Sequence, residues 1–193
     1  QPVTLASLRT LLRMARRYPG RTINNVASGR ALKGVRLFTR IFNNPSLSWD
    51  DMRKLRDWTD LPIILKGILH PDDAMRAVDV GVDGIIVSNH GGRQIDGSVS
   101  SFEMLPGITD RVGHQVEIIF DSGIRAGSDI FKCLALGAKA VCIGRPAAFG
   151  LALAGARGAE AVVRNLSAEF EVTMLLAGCQ SIADIGRHCL KPA

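Results

Sequence analysis

Four short apolar runs constrain this chain more than any other feature. Pro62 to Lys66, Ile85 to Val87, Val116 to Phe120 and Ala140 to Ile143 recur two to three dozen residues apart, and a helical pattern follows each. None shows the sustained polar alternation of a strand with one wet face, so each reads as a strand buried on both sides. Buried strands joined through helices form a parallel sheet, because a parallel return needs a crossover. Helices are predicted from Pro71 to Val80, near Ser101 to Val112, and from Ser128 to Leu136. A short turn at Pro146 then precedes a long helix from Ala159 to Ala177. Pro71 suits a first helical position, and Gly81 and Gly137 stop the helices before them. An earlier helix starts at Ser48, where a Ser48-to-Asp51 cap leads into the stripe Trp49, Met52, Leu55 and Trp58. This rhythm fits an open doubly wound sheet or a (β/α)8 barrel.

At 193 residues and 47% hydrophobic content, the chain suits one domain with a sizeable core. Cys133, Cys142, Cys179 and Cys189 have neither C-x-x-C nor His/Cys ligand spacing. Reduced thiols in a reducing compartment are expected, and a metal site is not. No secretory signal opens the sequence, and no apolar run reaches the ~18 residues that span a bilayer. The net charge of +6 is unevenly spread: residues 1–49 hold nine of the 24 Lys and Arg and none of the 18 Asp and Glu. The remainder is therefore net acidic. Without interleaved aromatics, a recognition helix or a finger, this basicity does not point to nucleic acid.

Residues 4–18 read as an amphipathic helix ended by Pro19-Gly20. Leu5, Leu8, Leu11, Leu12, Ala15 and Tyr18 lie on one side, and Arg9, Arg13, Arg16 and Arg17 on the other. Residues 20–46 show no sustained period and read as a long mobile connection. Leucines opposite charge of one sign suit an anionic membrane surface; a plain lid with solvated arginines is the other reading. The domain division expected is thus a basic segment, 1–46, and a globular body, 47–193.

Each strand ends in residues that have no packing logic. After the first stands Lys66, which must be paired or functional, since an isolated ammonium is costly away from water. After the second comes Ser88-Asn89-His90-Gly91-Gly92-Arg93-Gln94, where a proton acceptor and a guanidinium fork converge beside two glycines that permit close approach. After the third comes Asp121-Ser122-Gly123-Ile124-Arg125, leading into a helix whose first amides are expected to face an anion. After the fourth comes Gly144-Arg145-Pro146, a second glycine, arginine and helix start. Two phosphate-like loops after the last two strands favour the barrel, which commonly binds phosphate there.

From about Ser48 to Arg187 the chain resembles the C-terminal half of the FMN-dependent α-hydroxy acid dehydrogenase/oxidase family. Leu61-Pro62-Ile63-Ile64-Leu65-Lys66-Gly67, Ser88 through Gln94, Asp121 through Arg125 and Ile143-Gly144-Arg145-Pro146 carry the resemblance. A similar tail, Ala168-Glu169-Phe170 through Thr173-Met174 to Gly178-Cys179, follows. The Asp-x-Gly-Ile-Arg loop also occurs in inosine-monophosphate dehydrogenase-like barrels; the histidine stretch is the specific one. The resemblance implies FMN as cofactor and oxidation of an L-2-hydroxy acid, lactate-like, to the 2-oxo acid. His90 would be the catalytic base and contact substrate, and Arg93 would clamp its carboxylate. Lys66 would stand at the flavin N1/O2 edge as a catalytic and cofactor-binding residue. Ser88, Asp121, Ser122, Gly123, Arg125, Gly144 and Arg145 would complete the cofactor site.

A barrel of this kind takes eight strands and about 250 residues, and four strands are legible. The resemblance makes them strands five to eight of a TIM barrel. Residues 1–46 would then be the lid between strand four and its helix, which carries the membrane contact in membrane-associated lactate and mandelate dehydrogenases. It further implies a complementary N-terminal half-barrel as partner, a homo-oligomer when complete, and a cytoplasmic location with peripheral contact at the inner membrane face. A catalytically silent, partner-requiring fragment and another phosphate-binding barrel are the rival readings.

Overall fold

The structure, a computed structural model, describes residues 4–42 and 44–191. They fall into two compact units, residues 1–47 and 48–193.

The described part of the first unit is built of three helices. Helix α1 (Leu5–Arg17) starts on Thr4, whose hydroxyl accepts from the Ser7 amide while Ser7 reaches back to the Thr4 amide. Residues 22–42 are not the mobile connection expected but two more helices, α2 (Thr22–Ser28) and α3 (Arg30–Phe42). The period was masked by glycines at 20, 29 and 34. Gly20 and Gly29 take positive φ and turn the chain between helices, while Leu32, Val35, Phe38 and Ile41 repeat at helical spacing within α3. Asn25 is the pin: it is buried, and its Nδ2 donates to the carbonyls of Ala15 and Tyr18, both at 3.0 Å. Those carbonyls sit at the end of α1, where helical partners run out. Many apolar residues of α1 and α3, among them Leu5, Leu8, Leu12, Phe38, Ile41 and Phe42, remain largely exposed.

The second unit opens with α4 (Trp49–Trp58), capped by Ser48 through hydrogen bonds to the Asp51 carboxylate. Then alternate β1 (Ile64–Ile68), α5 (Pro71–Asp79), β2 (Gly84–Val87), α6 (Ser101–Val112), β3 (Glu117–Asp121), α7 (Gly127–Ala135), β4 (Ala140–Cys142) and α8 (Arg145–Leu176). At Ala154 and Gly155 α8 leaves helical geometry, which divides it into the short and long pieces expected.

The strands form one parallel sheet in the order β1-β2-β3-β4. A doubly wound sheet reverses its order at a switch point; this one does not. Ile85, Val87, Ile118 and Phe120 are at most 2% exposed and share one core with Ala74 and Ala77 of α5, Leu105, Ile108 and Val112 of α6, and Cys133 of α7. Each such large side chain contributes ~1.5–3 kcal/mol on burial, so this face holds the unit together. The opposite face, where Lys66, Ile86, Ile119 and Ala140 lie in register, is not closed over; Ile64 on β1 is 49% exposed. The expectation of strands buried on both sides is corrected here. Right-handed crossovers between strands in sequential order carry all their helices to one side.

Candidate active site at the carboxyl edge of the sheet

At the end of β1 the register slips between Lys66 and Ile68, at Gly67, whose φ is 100°. Such a bulge re-aims the neighbouring side chain. Lys66 Nζ lies 2.9 Å from Asp121 Oδ2 at the end of β3 and donates to Ser88 Oγ at 3.0 Å. Ser88, at the end of β2, is 2% exposed and is the hub. Its hydroxyl donates to Asp121 Oδ2 at 2.5 Å and accepts from the His90 amide at 3.0 Å. Burial alone would raise the Asp121 carboxyl. The hydrogen bonds from Ser88 and then Lys66, with the lysine's charge, outweigh it and hold its pKa below the usual carboxylate range. Lys66 is thus paired and still half exposed.

The histidine loop is held by its own polar groups. Asn89 Oδ1 accepts from the Gly92 amide at 3.1 Å, and Asn89 Nδ2 donates to Val99 O at 3.2 Å. Ser122 Oγ accepts from the Gly91 amide at 2.9 Å. His90 and Ser122 both stand at positive φ, 56° and 97°. Non-glycine residues there cost ~1–3 kcal/mol and persist where the surroundings over-determine them. Gln94 Nε2 lies 3.1 Å from His90 Nδ1. Arg145 Nη2 donates to Gly91 O at 2.7 Å, so the last loop clasps the second.

His90, Arg93, Asp121, Gly123, Arg125, Gly144 and Arg145 line one cavity of ≈ 310 Å³, and Lys66, Gly67, Ser88, His90 and Gln94 line another of ≈ 420 Å³. The imidazole thus stands between the two. The Arg93 guanidinium makes no hydrogen bond or ion pair among the described residues. Arg125 Nη1 donates only to the neighbouring Ile124 carbonyl, so both guanidiniums keep their charge uncompensated by carboxylate. Gly123 (φ 82°) and Gly144 have open space where a Cβ would stand, which lets a ligand reach backbone.

One expectation fails in detail. The amides at the start of α7 do not face an anion site. Asp129 Oδ2 accepts from the Arg125 and Ala126 amides, both at 3.0 Å, and Glu169 Oε2 from the Gly127 amide at 2.8 Å. Protein carboxylates already satisfy that helix start, whereas α8, begun at Gly144, has no side-chain cap. Sequence reasoning gave no role to Asn89, Gln94 or Glu169. Asn89 and Gln94 stand in the histidine stretch, but nothing local points from Glu169 to Gly127. Among the described residues no cluster of three His, Cys, Asp or Glu could hold a metal ion, and no helix is long and apolar enough to cross a membrane.

This is an α/β protein whose parallel sheet gathers a histidine, a paired lysine and arginines around open glycines at its carboxyl edge, an arrangement suited to an anion and to acid–base chemistry. The chain belongs to the FMN-dependent dehydrogenase family, which it matches over residues 4–192. It is 51% identical over 148 residues to 2-hydroxyacid oxidase 1 of Mus musculus, covering 77% of this chain and 40% of that protein. A lactate oxidase structure from Pediococcus acidilactici superposes with a TM-score of 0.74 at 46% identity, over 82% of this chain and 44% of the other. The monotopic membrane protein (S)-mandelate dehydrogenase gives a TM-score of 0.75 at 39% identity, over 78% and 40%. The chain therefore spans about two fifths of the length of the curated relatives it matches.

Proposed function

We propose that this chain is the C-terminal half of a (β/α)8 barrel that, with FMN, oxidises a small L-2-hydroxy acid to the 2-oxo acid. The observation that carries the reading is the convergence of His90, Arg93, Arg125 and Arg145 on one cavity beside the Lys66–Ser88–Asp121 network. The half-barrel is supported by the sequential strand order and the uncovered sheet face. Large apolar residues also stand exposed at both ends of the sheet, Trp58 and Leu61 (78% and 72%) before β1 and Phe149 and Leu153 (62% and 88%) after β4. These are the surfaces that a complementary half would cover.

The residues present fit FMN. Arg125, Arg145, Gly123 and Gly144 would hold its phosphate, Asp121 and Ser122 its ribityl chain, and Lys66 the edge of its ring, with Ser88 fixing Lys66 and Asp121. FMN, when bound, supplies the two-electron acceptor for the oxidation. Arg93, free of protein partners, offers two parallel hydrogen bonds to the substrate carboxylate and so fixes which carbon faces the ring. His90 takes a proton from the substrate as general base. Gln94 steadies the ring, its Nε2 standing 3.1 Å from His90 Nδ1. The basic helical unit, residues 1–47, is assigned to an anionic membrane surface at the cytoplasmic face, and the likeness to a monotopic mandelate dehydrogenase supports this.

The test is made on the complete protein. It should purify yellow and turn over lactate, glycolate or mandelate with oxygen or a quinone dye. Arg125→Ala with Arg145→Ala should lose flavin on dialysis while the fold survives. A colourless wild type, or full flavin retention in the double variant, would overturn the assignment.

A further inference from the structure

Two of the four cysteines stand together outside the site. Cys179 follows α8, and Cys189 ends a short 3₁₀ turn, Arg187–Cys189. Their Sγ atoms are 3.8 Å apart, and each is 3.8 Å from the Asp184 carbonyl oxygen. The tail that presents them is anchored on both flanks. Asp184 Oδ2 accepts from the Ser181 amide and hydroxyl at 2.7 and 3.0 Å, and Arg187 Nη2 lies 2.6 Å from Asp110 Oδ1 on α6. Little conformational entropy is left to lose in bringing the sulfurs together. The other thiols are isolated: Cys133 is fully buried in the core and Cys142 lies within β4.

We propose that Cys179 and Cys189 form an oxidative modification site that closes to an intramolecular disulfide on exposure to a peroxide. Cys189, the more accessible of the two, attacks the peroxide oxygen as thiolate. The O–O bond breaks, Cys189 becomes the sulfenic acid, and the other oxygen leaves as water or alcohol. The Cys179 sulfur then attacks the Cys189 sulfur; the S–O bond breaks and hydroxide leaves with the Cys179 proton as water. Two thiols are oxidised, one peroxide is reduced, and a dithiol reverses the step by exchange. Burial, then the neighbouring Cys189, pushes the Cys179 thiol up, which suits it to the resolving step rather than the first attack. Core burial pushes Cys133 up to about 12, which leaves it inert. The bond ties the tail to the end of α8 and so holds Arg187 against α6.

The complete protein is treated with hydrogen peroxide, alkylated, unfolded, and mapped by peptide mass spectrometry. Free thiols among these positions should fall from four to two, with one peptide pair linking Cys179 to Cys189 that dithiothreitol separates. In Cys189→Ser, Cys179 should stay reduced under the same dose. A sulfenic or sulfinic acid persisting on Cys189 beside free Cys179 would overturn the proposal. So would preferential oxidation of Cys133 or Cys142, or a linkage that forms no faster in native than in urea-unfolded protein.

Discussion

His90 and Asp121 line one cavity, and their variants should separate the roles proposed for them. His90→Ala in the complete enzyme should keep the flavin and slow its reduction by substrate ~10²- to 10⁴-fold, the usual loss for a general base. Stopped-flow bleaching of the flavin reads this directly, and a wild-type rate would remove His90 from the mechanism. Asp121 is the charge that must stay ionised for Lys66 to stay bound. Its folded pKa is depressed below the ordinary 3.8. The stability it contributes is therefore fully present above that value and is lost as pH falls through the lower folded value. Urea midpoints measured from neutral pH down through this window should decline in the wild type. The decline should be shallower in Asp121→Asn, whose amide has no proton to gain; parallel declines would show that the pair contributes nothing to acid sensitivity.

Among the helices, two junctions carry sharp expectations. Gly127 opens α7 so close against α8 that a Cβ would stand 2.1 Å from the Phe170 amide nitrogen. Backbone cannot yield as a flexible side chain can, so Gly127→Ala should cost at least the ~1–3 kcal/mol of overpacking. Thermal denaturation of the complete protein tests it, and an unchanged Tm would mean that α7 and α8 do not meet there. The basic helical unit is the other. Exposed leucines on α1 and exposed Phe38, Ile41 and Phe42 on α3 accompany nine Lys and Arg before Asp50. Each cation near an anionic surface contributes on the order of 1 kcal/mol. Sedimentation with anionic liposomes should show binding that needs acidic lipid, weakens with salt, and vanishes when residues 1–47 are removed. Binding that survives the truncation would place the membrane contact elsewhere.

At the scale of the whole molecule, the sheet has two unpaired edges among the described residues and one open face. An exposed parallel edge is a template for another strand. Co-expression with the N-terminal half of a relative's chain, the proposed complement, should yield a soluble one-to-one complex that retains FMN, read by size-exclusion mass and flavin absorbance. Equal solubility and flavin content without that half would show that the four strands suffice alone.

The sequence by itself determined the alternation of strands and helices and the loops in which the chemistry lies. Buried strands must be apolar, and residues with no packing use then stand out at their ends, as Lys66, His90, Arg93 and Arg145 do. It could not place partners far apart in the chain. That Ser88 hydrogen-bonds both Lys66 and Asp121, and that Glu169 satisfies Gly127, follow from the sheet's register and the packing of α7 on α8. Nor was α3 legible, because three glycines interrupt the region and turn it at two points. The pairing of Cys179 with Cys189 was equally hidden: ten residues of separation match no local motif, and only the folded tail brings the sulfurs into contact. Periodicity reports which face of an element is apolar; which atoms meet across elements is decided only when those faces close on one another.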